Sequence, residues 1–135
     1  MSLEMLKSVV TTMVLALALG QALGMAQVRG YVRLLPLERK RLRRWHRWGG
    51  FAVLVLTLAV AVICVFGERY VYYSLRVQAH MMMGALAILV LLLKVAIANR
   101  FRRYLRFTLA LGTAAGLSIL GTFIASALWY FVQVA

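Results

Sequence analysis

Apolar residues run almost unbroken through four stretches of this chain, near 9–28, 48–66, 77–98 and 107–134, and polar residues gather between them. Each stretch approaches or exceeds the roughly 20 residues that an α-helix needs to cross a hydrocarbon core. The pattern predicts four membrane-spanning helices joined by three links. Four spans use nearly all of the 135 residues, so any chemistry is expected inside the bundle or from a partner. The first stretch has some features of a secretory signal, with a lysine, an apolar run and small residues near its end. Its apolar run is long enough to span, and cleavage would leave the basic segment that follows on the wrong side, so it is taken as a helix.

Composition agrees with this pattern: 64% of residues are hydrophobic, mean hydropathy is +0.89 and only 3 side chains are acidic. The net charge of +13 would suit a nucleic-acid binder, but its distribution points to topology instead. Arg29, Arg33, Arg39, Lys40, Arg41, Arg43, Arg44 and Arg47 fall between the first two stretches, and Lys94, Arg100, Arg102, Arg103 and Arg106 around the last link. The N-terminus and middle link hold only Lys7, Arg69 and Arg76. The positive-inside rule then places both termini and the middle link outside and the two basic links in the cytoplasm. Aromatic residues mark both boundaries: Tyr31, Trp45, Trp48 and Tyr104 within, and Tyr70, Tyr72, Tyr73, Trp129 and Tyr130 without. The expected fold is therefore an all-α, multi-pass, integral membrane four-helix bundle with periplasmic termini.

The basic link, residues 29–47, contains the only proline, Pro36, positioned to open a short interfacial helix with Leu34, Leu35, Leu37, Leu42 and Trp45 toward lipid. Arg39, Lys40, Arg41, Arg43, Arg44 and Arg47 would meet lipid headgroups, or else an acidic partner protein. Helices in lipid associate through small residues that let backbones approach. Ala16, Gly20 and Gly24 supply such a stripe on the first helix, and Gly112 and Gly116 on the fourth, joined by Ala115, Thr122 and Ser126. Both stripes are read as packing faces inside the bundle.

Two histidines are each followed by glycine one turn later, His46 by Gly50 and His80 by Gly84. A flat porphyrin needs that clearance beside a ligand histidine. His46, Gly50, Val53, Thr57 and Cys64 share one helical stripe, and His80, Gly84, Ala87, Leu91 and Lys94 another. His46 begins the second helix at the cytoplasmic boundary, whereas His80 lies just inside the third at the outer one. At 1.5 Å per residue the imidazoles stand about 25 Å apart along the membrane normal, so one subunit does not bring both to a single iron. His46 reads as an interfacial residue and an unpromising metal ligand. His80 is an ionisable group within the span, where such groups are costly and usually functional. It is the candidate haem iron ligand or quinone contact, with a hydrogen bond across the bundle as the competing account.

A second axial ligand would come from the same layer, as Met13 or from another subunit, or be absent, leaving a five-coordinate site. Met81, Met82 and Met83 point in three directions and suit flexible packing. For a quinone, Arg76, His80 and Tyr130 would surround a carbonyl oxygen. Cys64 lacks a second thiol for a disulfide or a metal–sulfur site. Glu4, Glu38 and Glu68 lie at or beyond the span boundaries, and no nucleophile–base arrangement or phosphate loop occurs, so the chain is not expected to catalyse alone. Without a buried acidic residue or a broken helix, a transporter or channel is also unsupported.

The segments "WHRWGG", "RVQAHMMMG", "KVAIANR" and "SALWYF" together resemble a family of small four-span bacterial membrane proteins of unknown function, across residues 42–132. That family is similar in pattern to haem-b bundles of the cytochrome b561 and ferric-reductase-like kind. The resemblance implies an accessory subunit of a prokaryotic respiratory or photosynthetic electron-transfer complex in the cytoplasmic membrane, among other membrane subunits. The alternatives are an independent b-type cytochrome between quinone and a periplasmic partner, or a cofactor-free structural protein. Members often have a histidine just before the position matching Cys64, which would complete a bis-histidine site. This chain has Ile63 there, which does not bind iron.

Overall fold

The structure, a computed structural model, describes residues 2–67 and 74–135. Glu68, Arg69, Tyr70, Tyr72 and Tyr73, assigned above to the middle link, lie outside the described residues. Helix α1 (Leu3–Val28) starts where the Ser2 hydroxyl accepts the Met5 N–H at 3.2 Å, with Glu4 in the first turn facing the positive end of the helix dipole. It ends in a Schellman motif. Gly30, at φ 84°, reverses the chain, and the amides of Gly30 and Tyr31 reach back to the carbonyls of Gln27 and Ala26 at 3.0 Å each.

Helices α2 (Arg39–Phe66) and α3 (Leu75–Asn99) follow, the latter capped by the Ser74 hydroxyl accepting from Val77 N–H at 3.3 Å. The fourth span, Arg102–Val134, changes pitch along its length. A 3₁₀ turn (Arg102–Phe107) leads into α4 (Thr108–Phe123), then a π turn (Ile124–Leu128) and a final helix, α5 (Trp129–Val134). In the 3₁₀ turn Arg103 lies 4.7 Å from the Tyr104 ring and Arg106 4.8 Å from that of Phe107, which keeps these guanidinium groups beside aromatic faces.

Four helices are thus long and apolar enough to cross a membrane, which describes a multi-pass membrane protein. Every span contributes to one small core: Val14 from α1, Val53 and Leu54 from α2, Ala87, Val90 and Leu91 from α3, and Ala115 and Ile119 from α4. Most large apolar side chains face outward instead, such as Phe66, 84% exposed, and Met82, 74% exposed, as lipid-facing residues do. Helix α1 packs mainly on α2 and α3 mainly on α4, while α2 and α3 touch sparingly. One end of the bundle carries both termini, and the other both basic links.

The basic link differs from the expected one. No interfacial helix follows Pro36. Instead the Gln27 amide holds the strand of chain before it, donating to the Leu35 carbonyl at 2.6 Å and accepting from the Leu34 and Leu35 amides at 3.2 and 2.8 Å. With its amide so bonded, and with Pro36 disfavouring helical geometry at the residue before it, Leu35 stays outside any helix and the chain bends there. The helix begins at Arg39, so Arg39, Lys40, Arg41, Arg43, Arg44 and Arg47 lie on the first turns of α2 rather than in a link. All six are exposed. Leu42, expected toward lipid, is only 2% exposed and closes over Gly24.

The small-residue stripe of α1 also departs from expectation. Its buried face is Ser8, Thr11, Val14, Gly24 and Val28, whereas Ala16 and Gly20 are exposed and a Cβ on Gly20 would touch nothing. A four-residue repeat advances about 40° beyond a full turn at each step, so the stripe winds around α1 and reaches α2 only at Gly24. On α4, Gly112 makes room for Lys94, whose Nζ lies 3.4 Å from where its Cβ would be, and Gly116 is half-buried with open space beside it.

Candidate functional site

At the terminal end the four spans line a half-open cavity of about 630 Å³. That size lies within the roughly 300–1,000 Å³ of ligand and cofactor pockets. Thr11 and Val14 of α1, Thr57 and Cys64 of α2, and Ile119 and Thr122 of the fourth span form three walls. His80, Met81, Gly84 and Ala87 of α3 form the last. The rest of the lining is aliphatic.

The polar groups of this wall are mostly satisfied within their own helices. Thr11 donates to the Lys7 carbonyl at 2.8 Å, Thr57 to Val53 at 2.6 Å and Thr122 to Ser118 at 2.8 Å. Threonine bonds back one turn in this way when no other acceptor is nearer. His80 is the exception. The Thr122 backbone faces its imidazole as a hydrogen-bonding partner, while Nδ1 is buried with none. A buried polar atom left so calls for an explanation. The ring borders the cavity, but Nδ1 lies beneath its surface, so a group bound there would meet this nitrogen only once the imidazole turned.

Gly84, one turn along, also lines the cavity, and a Cβ there would touch nothing within 4 Å. The protein's own packing therefore does not demand glycine at this position. An imidazole with one nitrogen turned to a carbonyl and the other free is the usual arrangement of a metal-ligating histidine. No group of three or more His, Cys, Asp or Glu among the described residues could hold a bare ion. Haem b needs only one such residue, since the porphyrin supplies four nitrogens, and the residues present fit it.

Other sequence candidates fall differently. Arg76 is drawn to the fourth span, donating to the Ala125 carbonyl at 2.8 Å and lying 5.4 Å from the Trp129 ring. Ala125 belongs to the π turn, whose wider hydrogen-bond spacing leaves a carbonyl accessible to an outside donor. Tyr130 is half-buried, edge-on to Phe131 at 5.7 Å. Neither residue lines the cavity, so the trio Arg76, His80 and Tyr130 does not assemble there. Met13 is 53% exposed on the outer face of α1 and does not face His80 across the cavity. Of the three methionines, Met81 lines the cavity, Met82 faces outward and Met83 lies 3.4 Å from where a Gly121 Cβ would be.

Ile63 is outside the lining, whereas Cys64 is within it. Thr11 went unremarked in the sequence. The paired hydroxyls of Thr11 and Thr12 in an apolar run were the available signal.

His46 lies at the other end, in a cavity of about 250 Å³ under the basic link, with Gln21, Gln27, Leu42 and Trp45. The Gln21 backbone faces its ring, and its Nδ1 is likewise buried and unpartnered. The two cavities share no lining residue, so the histidines do not converge on one ligand. Gly50 borders neither cavity.

Fold and site together define a small four-span helical bundle with a cofactor-sized apolar cavity. The chain belongs to a family of unknown function, DUF6529, which matches residues 1–135. The match extends beyond the 42–132 segment that carried the resemblance. No curated protein and no solved structure matches the chain, so the likeness to cytochrome b561 and ferric-reductase-like bundles has no support from a matched relative.

Proposed function

We propose that this protein is a small membrane subunit of a prokaryotic electron-transfer complex and holds haem b in the terminal-end cavity through His80. The observation that carries the reading is the place of His80, an imidazole with one nitrogen unpartnered, in the wall of a 630 Å³ apolar cavity. Haem bound there would supply one-electron chemistry. This chain's residues would orient it: the Thr122 backbone fixes the imidazole, Gly84 leaves clearance, and the aliphatic walls exclude water. The basic end faces the cytoplasm and the termini the periplasm, following the positive-inside rule. The chain serves as an accessory carrier, and substrate chemistry belongs to neighbouring subunits.

A reduced-minus-oxidised absorption spectrum of detergent-purified protein, beside a His80→Ala variant, tests this. The expected result is a b-type α band that disappears in the variant. A flat spectrum from folded wild-type protein overturns the haem assignment.

The sparse contact between α2 and α3 favours one second reading, a quinone entering sideways from the bilayer, with His80 hydrogen-bonding its carbonyl. Organic extraction of the purified protein distinguishes the two, since quinone would be recovered without an α band.

A further inference from the structure

The cations at the start of α2 are not spread evenly with respect to the bundle. At 3.6 residues per turn, Arg41, Arg44, Trp48, Phe51, Val55 and Val62 fall within one arc of about 80° around the helix. All six are exposed. The buried residues of the helix, Leu42, Val53 and Leu54, lie on the other side. Because α2 packs mainly on α1 and only sparingly on α3, this arc is a face that the bundle leaves uncovered. Arg39 and Arg43 stand instead above the buried side, where the helix turns to the core.

Along the arc the chemistry changes in order. Two guanidinium groups come first, one turn apart, then the indole of Trp48, 70% exposed, and then hydrocarbon side chains. Phe51 to Val62 covers about 16 Å at 1.5 Å per residue, which matches one leaflet, half of a hydrocarbon core about 30 Å thick. Tryptophan is enriched at the boundary between headgroup and hydrocarbon, the level at which Trp48 falls in this order. The nearest carboxylate in sequence, that of Glu38, precedes the helix. Arg103 and Arg106 rest over rings of their own turn, whereas Arg41 and Arg44 stand at the head of an open apolar stripe. The guanidinium fork matches phosphate oxygens.

The structure assigns this face of α2 to an anionic phospholipid. Arg41 and Arg44 hold its phosphate, Trp48 lies beside its glycerol region, and an acyl chain runs along Phe51, Val55 and Val62. Lipid is favoured over an acidic partner protein because cations and hydrocarbon form a single stripe, of which a water-borne acidic surface would meet only the first turns.

The test uses the full chain with Trp45→Phe and Trp129→Phe, which leaves Trp48 as the one indole. The protein is placed in vesicles of phosphatidylcholine and phosphatidylglycerol, with one or the other lipid carrying brominated acyl chains that quench indole fluorescence on contact. Phosphatidylglycerol should associate with the Trp48 face about fivefold more strongly than phosphatidylcholine, the scale of one cation near an anionic surface. Arg41→Gln/Arg44→Gln should bring this ratio close to one. Arg39→Gln/Arg43→Gln, with the same loss of charge, should keep most of it. Equal quenching by the two lipids before any arginine is changed would leave these cations to an acidic partner protein and overturn the assignment. Equal loss of preference in the two double variants, the mark of diffuse attraction, would also overturn it. All four arginines are exposed, and circular dichroism checks that the helices are kept. Should Arg41→Gln/Arg44→Gln lose them, Arg44→Gln and Arg43→Gln are compared singly, with the preference expected to fall at least about twofold only in the first.

Discussion

The two ends of the bundle share one motif and use it differently. Each has a half-buried histidine with a backbone partner on the adjoining helix, a buried Nδ1 without a partner, and a glycine one turn later. At the terminal end Gly84 opens onto a large apolar cavity, and no charged residue lines that cavity. At the basic end Gly50 opens onto neither cavity, and Lys94 and Arg29 surround the imidazole with positive charge. Under the proposed assignment, a histidine–glycine pair is not in itself a cofactor site. The volume beside it and the charge around it decide.

The largest effect that would break this comparison is a histidine exchange. His80→Ala should abolish the α band, whereas His46→Ala should leave haem content, measured as pyridine haemochrome, within about twofold of wild type. If the second variant loses haem and the first retains it, the assignment of ends is reversed. Next comes the glycine pair. Gly84→Leu adds a side chain whose Cβ meets no protein atom and which extends into the cavity space, so haem content should fall at least tenfold while the helical circular dichroism is kept; Gly50→Leu should not lower haem content.

Packing gives a smaller contrast. A Cβ on Gly49 would overlap the Gln21 amide, the far end of a flexible side chain, so alanine there should cost about 1 kcal/mol through loss of the Gln21 bond to the Trp45 carbonyl. Gly20 has open space, and alanine there should stabilise by up to about 1 kcal/mol through helix propensity. Denaturant titration in mixed micelles measures both. The smallest expected effect belongs to Arg76→Gln, which loses the bond to the Ala125 carbonyl at about 1 kcal/mol and should leave any haem spectrum unshifted, since Arg76 does not line the cavity.

The four spans were legible because lipid requires long apolar helices; the first three stretches lie inside α1, α2 and α3, and the fourth inside the pitch-changing span Arg102–Val134. Their ends were not. Ser2 and Ser74 cap helices beyond the apolar runs, and α2 extends back to Arg39 because charged residues form helix as readily as leucine does. Leu42 was misplaced because hydropathy does not distinguish lipid from a neighbouring helix. His80 and Gly84 were legible as a pair from their spacing. The other walls were not, since which helices diverge depends on packing between distant residues. Arg76 was drawn away from the cavity by a π turn that no sequence pattern announced.

The back-bonded threonines of the large cavity have a consequence for redox behaviour. Thr11, Thr57 and Thr122 direct their hydroxyl protons at carbonyls of their own helices, which leaves few proton donors for a guest. A haem there would take up an electron largely unaccompanied, and its midpoint potential should change with pH by far less than the roughly 59 mV per unit of one-to-one coupling. Quinone reduction consumes protons, which this wall supplies poorly. Under the proposed haem assignment, the same hydroxyls that close hydrogen bonds within their helices would bias the cavity toward moving charge without chemistry.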